Sequence, residues 1–322
     1  MKKFCLIPQP IHASGLQQLR ENGVEPLVGE AACASAPADQ VVAAIYRSGQ
    51  FSRTTMVQLP NLRAIGVHGV GIDGIDLAAA NDLGIAVFNT PGTNHRSVAE
   101  HTLALMFALT KRIPAADQAV RKGEFSFRFQ GGLSELCGAT LGVIGFGAIG
   151  QLTATLANAM GMQVQVLTRC SAEELAAQGL HKAASLPQLL ASSDLVSIHA
   201  PSLPETHHLI GAEQLALMKP SAYLINTSRG ALVDEVALIA ALQSGQIAGA
   251  GLDVFAEEPL SASSPLAQLS NVVLTPHTAA SAEQALMRMA SAAVSGVLAI
   301  LHNRRPASLI NPQIWETRRQ AD

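Results

Sequence analysis

"GVIGFGAIG" occupies residues 142–150, and its reading decides the fold. An apolar run enters Gly145-Phe146-Gly147-Ala148-Ile149-Gly150, a GxGxxG pattern, and the helical stretch "AIGQLTATLANAMG" leaves it, stopped by Gly161. In such a strand–turn–helix the first glycine permits a tight turn. The second lets backbone approach a pyrophosphate, and the third lets helix and strand pack closely. The helix start adds unpaired N–H groups and partial positive charge for phosphate oxygens. Gly145, Gly147, Ala148, Ile149 and Gly150 are therefore candidate cofactor contacts.

Outward from this turn the rhythm repeats. "QVQVLT", "LVSIHAP", "AYLINTS", "GAGLDVF" and "VVLTP" read as strands separated by helices, one of them capped by Asp234 and ended by Gly245. Upstream, "KKFCLIP", "LRAIGVHG" and "IAVFNT" read as strands, with helices closed by Gly23 and Gly84. Short apolar strands alternating with helices imply parallel sheets. Ser97/Glu100 and Ser281/Gln284 have capping-box spacing, so long helices are expected to start there, and Pro114 should kink or divide the first. The chain is expected to cross between blocks near residues 98 and 280. That gives a discontinuous domain, 1–98 and 281–322, interrupted by a dinucleotide-binding domain, 99–280.

The bulk numbers agree with two domains. The chain has 322 residues, 48% hydrophobic and only 4% aromatic, with a formal charge of −3. No global field favours nucleic acid or anionic lipid, and Arg304-Arg305 and Arg318-Arg319 are short runs expected on solvated ends. Cys5, Cys33, Cys137 and Cys170 form no CxxC, so free thiols in a reducing cytosol are expected. The apolar residues before Pro8 are too few for a signal-peptide core, and no run reaches about eighteen consecutive apolar residues. A cytoplasmic protein without nucleic-acid or membrane partners is expected. The histidines show no HExxH spacing, and no metal site is expected.

At the end of the second strand of a dinucleotide fold an acid usually meets the ribose hydroxyls. Here "LTRCSAEE" offers Thr168 and Arg169 instead. Thr168 removes the repulsion toward a 2′-phosphate, Arg169 supplies a charge-assisted partner, and Ser171 adds a hydroxyl. NADP(H) is the expected cofactor, with NAD(H) as the alternative.

Three later segments, "INTSRGALVDE", "GLDVFAEEPL" and "LTPHTAA", each follow an expected strand and present Arg229, Glu258 and His277. With "GVGIDGID" (69–76), "NTPGTNHRSVAE" (89–100) and the glycine turn, in this order, the sequence resembles the D-isomer-specific 2-hydroxyacid dehydrogenase family from about Leu6 to Pro312. The resemblance implies a Rossmann coenzyme domain inserted in a flavodoxin-like substrate domain, both doubly wound parallel sheets. It implies hydride transfer between NADP(H) and a small 2-keto or 2-hydroxy acid, such as glyoxylate or hydroxypyruvate, by a homodimer whose contact is the helix after Ser97.

The resemblance assigns Arg229 to the substrate carboxylate and carbonyl, His277 to the proton, and Glu258, rather than its neighbour Glu257, to the imidazole. It places Val70, Gly71 and Arg47 at the substrate. It places Thr102, Ala200, Pro201, Thr206, Thr227, Ser228 and Asp253 along the cofactor, Asp253 accepting from the carboxamide. The sequence departs from the family at Ala148, where arginine or histidine is common, and at Ala267, where many relatives have an aromatic. Three other readings stand beside it: a dehydrogenase of a phosphorylated or sulfonated hydroxy acid using Arg47, a non-enzymatic dinucleotide-sensing corepressor, and a methyltransferase with a glycine turn.

Overall fold

A computed structural model describes residues 2–320. In chain order the first elements are β1 (Lys3–Ile7), α1 (Ala13–Glu21), β2 (Val24–Val28), α2 (Glu30–Ala34), β3 (Val41–Tyr46), α3 (Arg53–Val57), β4 (Ala64–Val67), α4 (Leu77–Asp82) and β5 (Ala86–Phe88). Then come α5 (His95–Thr110), α6 (Ile113–Arg121), β6 (Thr140–Ile144), α7 (Ala148–Ala159), β7 (Gln163–Leu167), α8 (Ala172–Ala176), β8 (His181–Lys182), α9 (Leu186–Ser192), β9 (Leu195–Ile198) and α10 (Ala212–Leu217). The last are β10 (Tyr223–Asn226), α11 (Glu235–Gln243), β11 (Gly249–Leu252), β12 (Val272–Leu274) and α12 (Glu283–Leu301).

The chain forms two compact units, 1–94 with 281–322, and 95–280. The first crossing falls at the start of α5, ahead of the position near 98 expected from sequence. The first unit holds a five-stranded sheet, β2-β1-β3-β4-β5, parallel throughout. This is the flavodoxin-like order, with its switch between β1 and β3. The second unit holds a seven-stranded parallel sheet, β12-β11-β10-β9-β6-β7-β8, the Rossmann order with its switch between β6 and β9. β3, β9 and β11 are buried along their whole length, as helices on both sheet faces require.

In the first unit α12 lays Ala290, Ala293, Val294 and Val297 on the sheet, against Phe88. Among the described residues α12 alone is long and apolar enough on average to cross a membrane, and half of that stretch is buried in the protein. Its apolar character therefore serves the core.

Asp234 caps α11, accepting from the Val236 and Ala237 N–H groups at 3.1 Å. Pro114 divides the long segment: α5 stops at Thr110, Arg112 takes φ +49°, and Pro114 sits in the first turn of α6. Both capping boxes proposed from sequence fail. α5 starts earlier, at His95, and the buried Ser97 hydroxyl donates to the Ala279 carbonyl at 2.6 Å. α12 starts at Glu283 without a side-chain cap, and Ser281 Oγ accepts from Arg47 Nη2 at 3.3 Å. In each case a tertiary partner takes the hydroxyl that local spacing assigned to a helix N–H.

Candidate active site

The glycine turn follows β6 at the switch point of the second unit. Gly145 takes φ +95°, and a Cβ there would stand 2.5 Å from the His199 carbonyl oxygen at the end of β9. The two strand ends thus pinch together at a position only glycine fits. α7 opens at Ala148, with no side chain capping it and open space beside Gly147. An uncapped twelve-residue helix behind a glycine turn fits a dinucleotide pyrophosphate. Ile149 and Gly150 continue the first turn of α7.

At the end of β7, Thr168 Oγ1 accepts from the Cys170 N–H at 3.2 Å. Arg169 is exposed, and among the described residues nothing hydrogen-bonds or ion-pairs with its guanidinium. Ser171 is the N-cap of α8: its Oγ accepts from the Glu174 N–H at 3.1 Å, and Glu174 returns a bond to the Ser171 N–H. The Glu173 N–H and the Ser171 hydroxyl hold the Glu173 carboxyl below the ordinary carboxylate range. The Ser171 hydroxyl expected to donate to a phosphate is thus also the acceptor that caps α8.

Across the switch, Ala200 and Pro201 follow β9. Thr206 Oγ1 donates to the Pro201 carbonyl at 2.8 Å and accepts from the Leu203 N–H at 2.8 Å, closing that loop. Thr227 and Ser228 follow β10, and the Ser228 hydroxyl donates to the Ile198 carbonyl at 2.6 Å. Two assignments made by resemblance meet groups already engaged. Thr102 is wholly buried, its hydroxyl on the Val98 carbonyl and on Thr227 Oγ1 at 2.9 Å. The wholly buried Asp253 carboxylate accepts from Thr275 Oγ1 at 2.6 Å and from the Thr278 and Ala279 N–H groups at 2.8 Å. Both residues support neighbouring loops, a role that spacing alone does not reveal.

Arg229, Glu258 and His277 come together within this unit. Asn226 shapes the Arg229 turn, its side chain accepting from the Ser228 N–H at 3.0 Å and donating to the Arg229 carbonyl at 2.8 Å. Gly230 presses this turn against the next loop: a Cβ on it would lie 1.9 Å from the Phe255 carbonyl oxygen. Three residues beyond Phe255, Glu258 Oε2 accepts from His277 Nδ1 at 2.8 Å, and Oε1 accepts from the Phe255 N–H at 3.1 Å. Burial alone would raise the Glu258 pKa. The bond to His277, the His277 charge, the Phe255 N–H and the nearby Arg229 guanidinium together bring it below the usual carboxylate range. With Nδ1 engaged, Nε2 is the imidazole atom left for proton transfer. The His277 side chain is half exposed, at 50%. Glu258, and not Glu257, is the partner.

In the first unit, Val70 and Gly71 follow β4. Their N–H groups meet no acceptor among the described residues, and Asn89 Nδ2 holds the Val70 carbonyl at 2.9 Å. Arg47 donates from Nη1 to the Pro10 carbonyl at 2.9 Å.

A doubly wound sheet that brings a guanidinium and a carboxylate–imidazole pair to its strand ends, beside a glycine turn, defines a dinucleotide-linked oxidoreductase. Residues 103–279 match the family model "D-isomer specific 2-hydroxyacid dehydrogenase, NAD binding domain". Glyoxylate reductase of Aeropyrum pernix is 42% identical over 268 residues, 81% of this chain and 80% of that one. D-3-phosphoglycerate dehydrogenase of Archaeoglobus fulgidus is 39% identical over 290 residues, 88% of this chain but 54% of that longer one. An NADPH-dependent glyoxylate/hydroxypyruvate reductase of Sinorhizobium meliloti, solved with NADP and malonate, superposes with a TM-score of 0.86 at 30% identity over all of both chains. The chain belongs to the D-isomer-specific 2-hydroxyacid dehydrogenase family.

Proposed function

We propose that the protein reduces a small 2-keto acid, glyoxylate or hydroxypyruvate, with NADP(H) preferred over NAD(H). The His277–Glu258 pair beside Arg229 carries the reading. Arg229 binds the keto acid's carboxylate and polarises its carbonyl with its planar fork of donors. The nicotinamide, when bound, supplies the hydride. As charge builds on the carbonyl oxygen, His277 donates the proton held at Nε2, and in the reverse direction it accepts one there. Glu258 keeps Nδ1–H engaged, which fixes the ring's orientation and tautomer. Val70 and Gly71 offer backbone donors to the substrate carboxylate.

The cofactor preference rests on Arg169, exposed and without a protein partner where an acid would exclude a 2′-phosphate. A homodimer is supported by the apolar face left open on α5, α6 and the segment after them: Phe107, Ile113, Val120, Phe125 and Phe129 are exposed. A cytoplasmic location accords with the four free thiols.

The deciding measurement is turnover of a 2-keto-acid panel with NADPH and NADH in parallel. Reduction of glyoxylate or hydroxypyruvate, faster with NADPH, is expected. No turnover of any member would return the corepressor reading.

The likeness to D-3-phosphoglycerate dehydrogenases keeps a second reading, a phosphorylated or sulfonated hydroxy acid held by Arg47. Under it, Arg47→Ala selectively loses the dianionic substrate. Equal loss across substrates removes that reading.

A further inference from the structure

α5 touches the loop that carries His277 at both ends. Ser97 and His101 lie four residues apart, so they share one face of the helix. Ser97 Oγ donates to the Ala279 carbonyl at 2.6 Å, beyond His277, and His101 Nε2 meets Thr275 Oγ1 at 2.9 Å, before it.

The direction of the second bond follows from donor counting. The Thr275 hydroxyl has one proton, and it goes to Asp253 Oδ1 at 2.6 Å. Thr275 Oγ1 therefore accepts from His101, and Nε2 of His101 carries a proton.

The relay ends at the catalytic histidine's own backbone. Asp253, wholly buried, gathers the Thr275 hydroxyl and the Thr278 and Ala279 N–H groups on its carboxylate. Its carbonyl accepts from the His277 N–H at 2.8 Å. His277 takes φ +52°, a backbone setting that a non-glycine residue holds only when its surroundings impose it. One helical residue further, Thr102 bonds Thr227 in the loop that leads to Arg229. A single face and edge of α5 thus registers both loops.

We propose that His101 is a positioning residue. Through Thr275 and Asp253 it holds the loop at the φ that aims the His277 imidazole at Glu258, so that α5 sets the proton donor against Arg229. The proposal rests on the reductase reading for its kinetic consequence and not for its structural one.

The test uses His101→Ala, Thr275→Val, their double variant and His101→Gln, which keeps an N–H donor. In turnover, the Ala and Val variants are expected to lower kcat about tenfold to a hundredfold, as small misplacements of a reacting group do. KM for the keto acid and cofactor Kd should stay within about twofold, because uniform binding is untouched. The double variant should be no worse than the worse single one, the signature of a shared relay. His101→Gln should recover most of the loss.

The independent readout is NMR of the His277 ring in the cofactor-free protein. A titration midpoint displaced in His101→Ala and restored in His101→Gln supports the proposal even if the wild type turns over no keto acid, a result that would sink only the reductase reading. An undisplaced midpoint, multiplicative loss in the double variant, or activity falling only in step with folded protein overturns it.

Discussion

The Glu258 carboxylate divides its oxygens, one on His277 Nδ1 at 2.8 Å and the other on the Phe255 N–H at 3.1 Å. The first bond orients the His277 imidazole, and the second fixes the carboxylate to its own loop. Glu258→Gln keeps the volume and loses the charge. It should lower kcat by about a hundredfold or more, the range seen when a group that fixes a histidine's tautomer is neutralised, with a smaller change in KM. A kcat within about threefold of wild type would show that the imidazole needs no ionised partner.

Arg169→Asp should reverse the proposed preference for NADP(H). A charge-assisted bond to phosphate contributes about 1.5–3 kcal/mol, so kcat/KM with NADPH should fall by about tenfold to a hundredfold. With NADH it should hold or rise, since an acid there accepts from ribose hydroxyls. Parallel titrations with both cofactors check this, and equal losses would detach Arg169 from the 2′-phosphate.

The turn's glycines should separate folding from binding. A Cβ on Gly145 meets the His199 carbonyl oxygen at 2.5 Å and needs φ +95°, so Gly145→Ala should destabilise by about 1–3 kcal/mol. Gly147 has φ −75° and nothing within 4 Å of an added Cβ. Gly147→Ala should therefore melt like the wild type yet bind cofactor weakly, because the methyl stands where backbone approaches the pyrophosphate. Melting curves and fluorescence titration distinguish the two.

Stability should fall in acid through two histidines at strand ends. Burial pushes His68 from 6.5 to about 4, helped by the Arg47 charge, with backbone groups of His68 and Leu286 opposing. Burial alone does the same to His199. In each folded site the imidazole stays neutral while the unfolded chain takes up a proton, so stability is complete above about pH 6.5 and declines toward pH 4. Glu258 and Asp194, both held below the ordinary carboxylate range, extend the loss to lower pH. Chemical denaturation across pH should show this slope, and His199→Asn should flatten its upper part; an unchanged slope would mean that His199 is not buried neutral.

A family resemblance pointed to Arg229, Glu258 and His277, and the sequence by itself determined the parallel α/β architecture and the glycine turn. These are local matters: an apolar run, a helix stop, a glycine at a forced φ. β3, "VVAAIY", was not legible, because a short, wholly apolar run carries no alternation to separate strand from helix. Only the tertiary structure decided where the hydroxyls go. Ser97 and Ser281 have capping spacing yet bond Ala279 and Arg47, residues far away in sequence. It alone placed His101 and Thr275 behind His277 and filled the Asp253 carboxylate from the loop it holds. A hydrogen bond depends on distance and angle within tenths of an ångström, and those are set by packing across many residues rather than by neighbours along the chain.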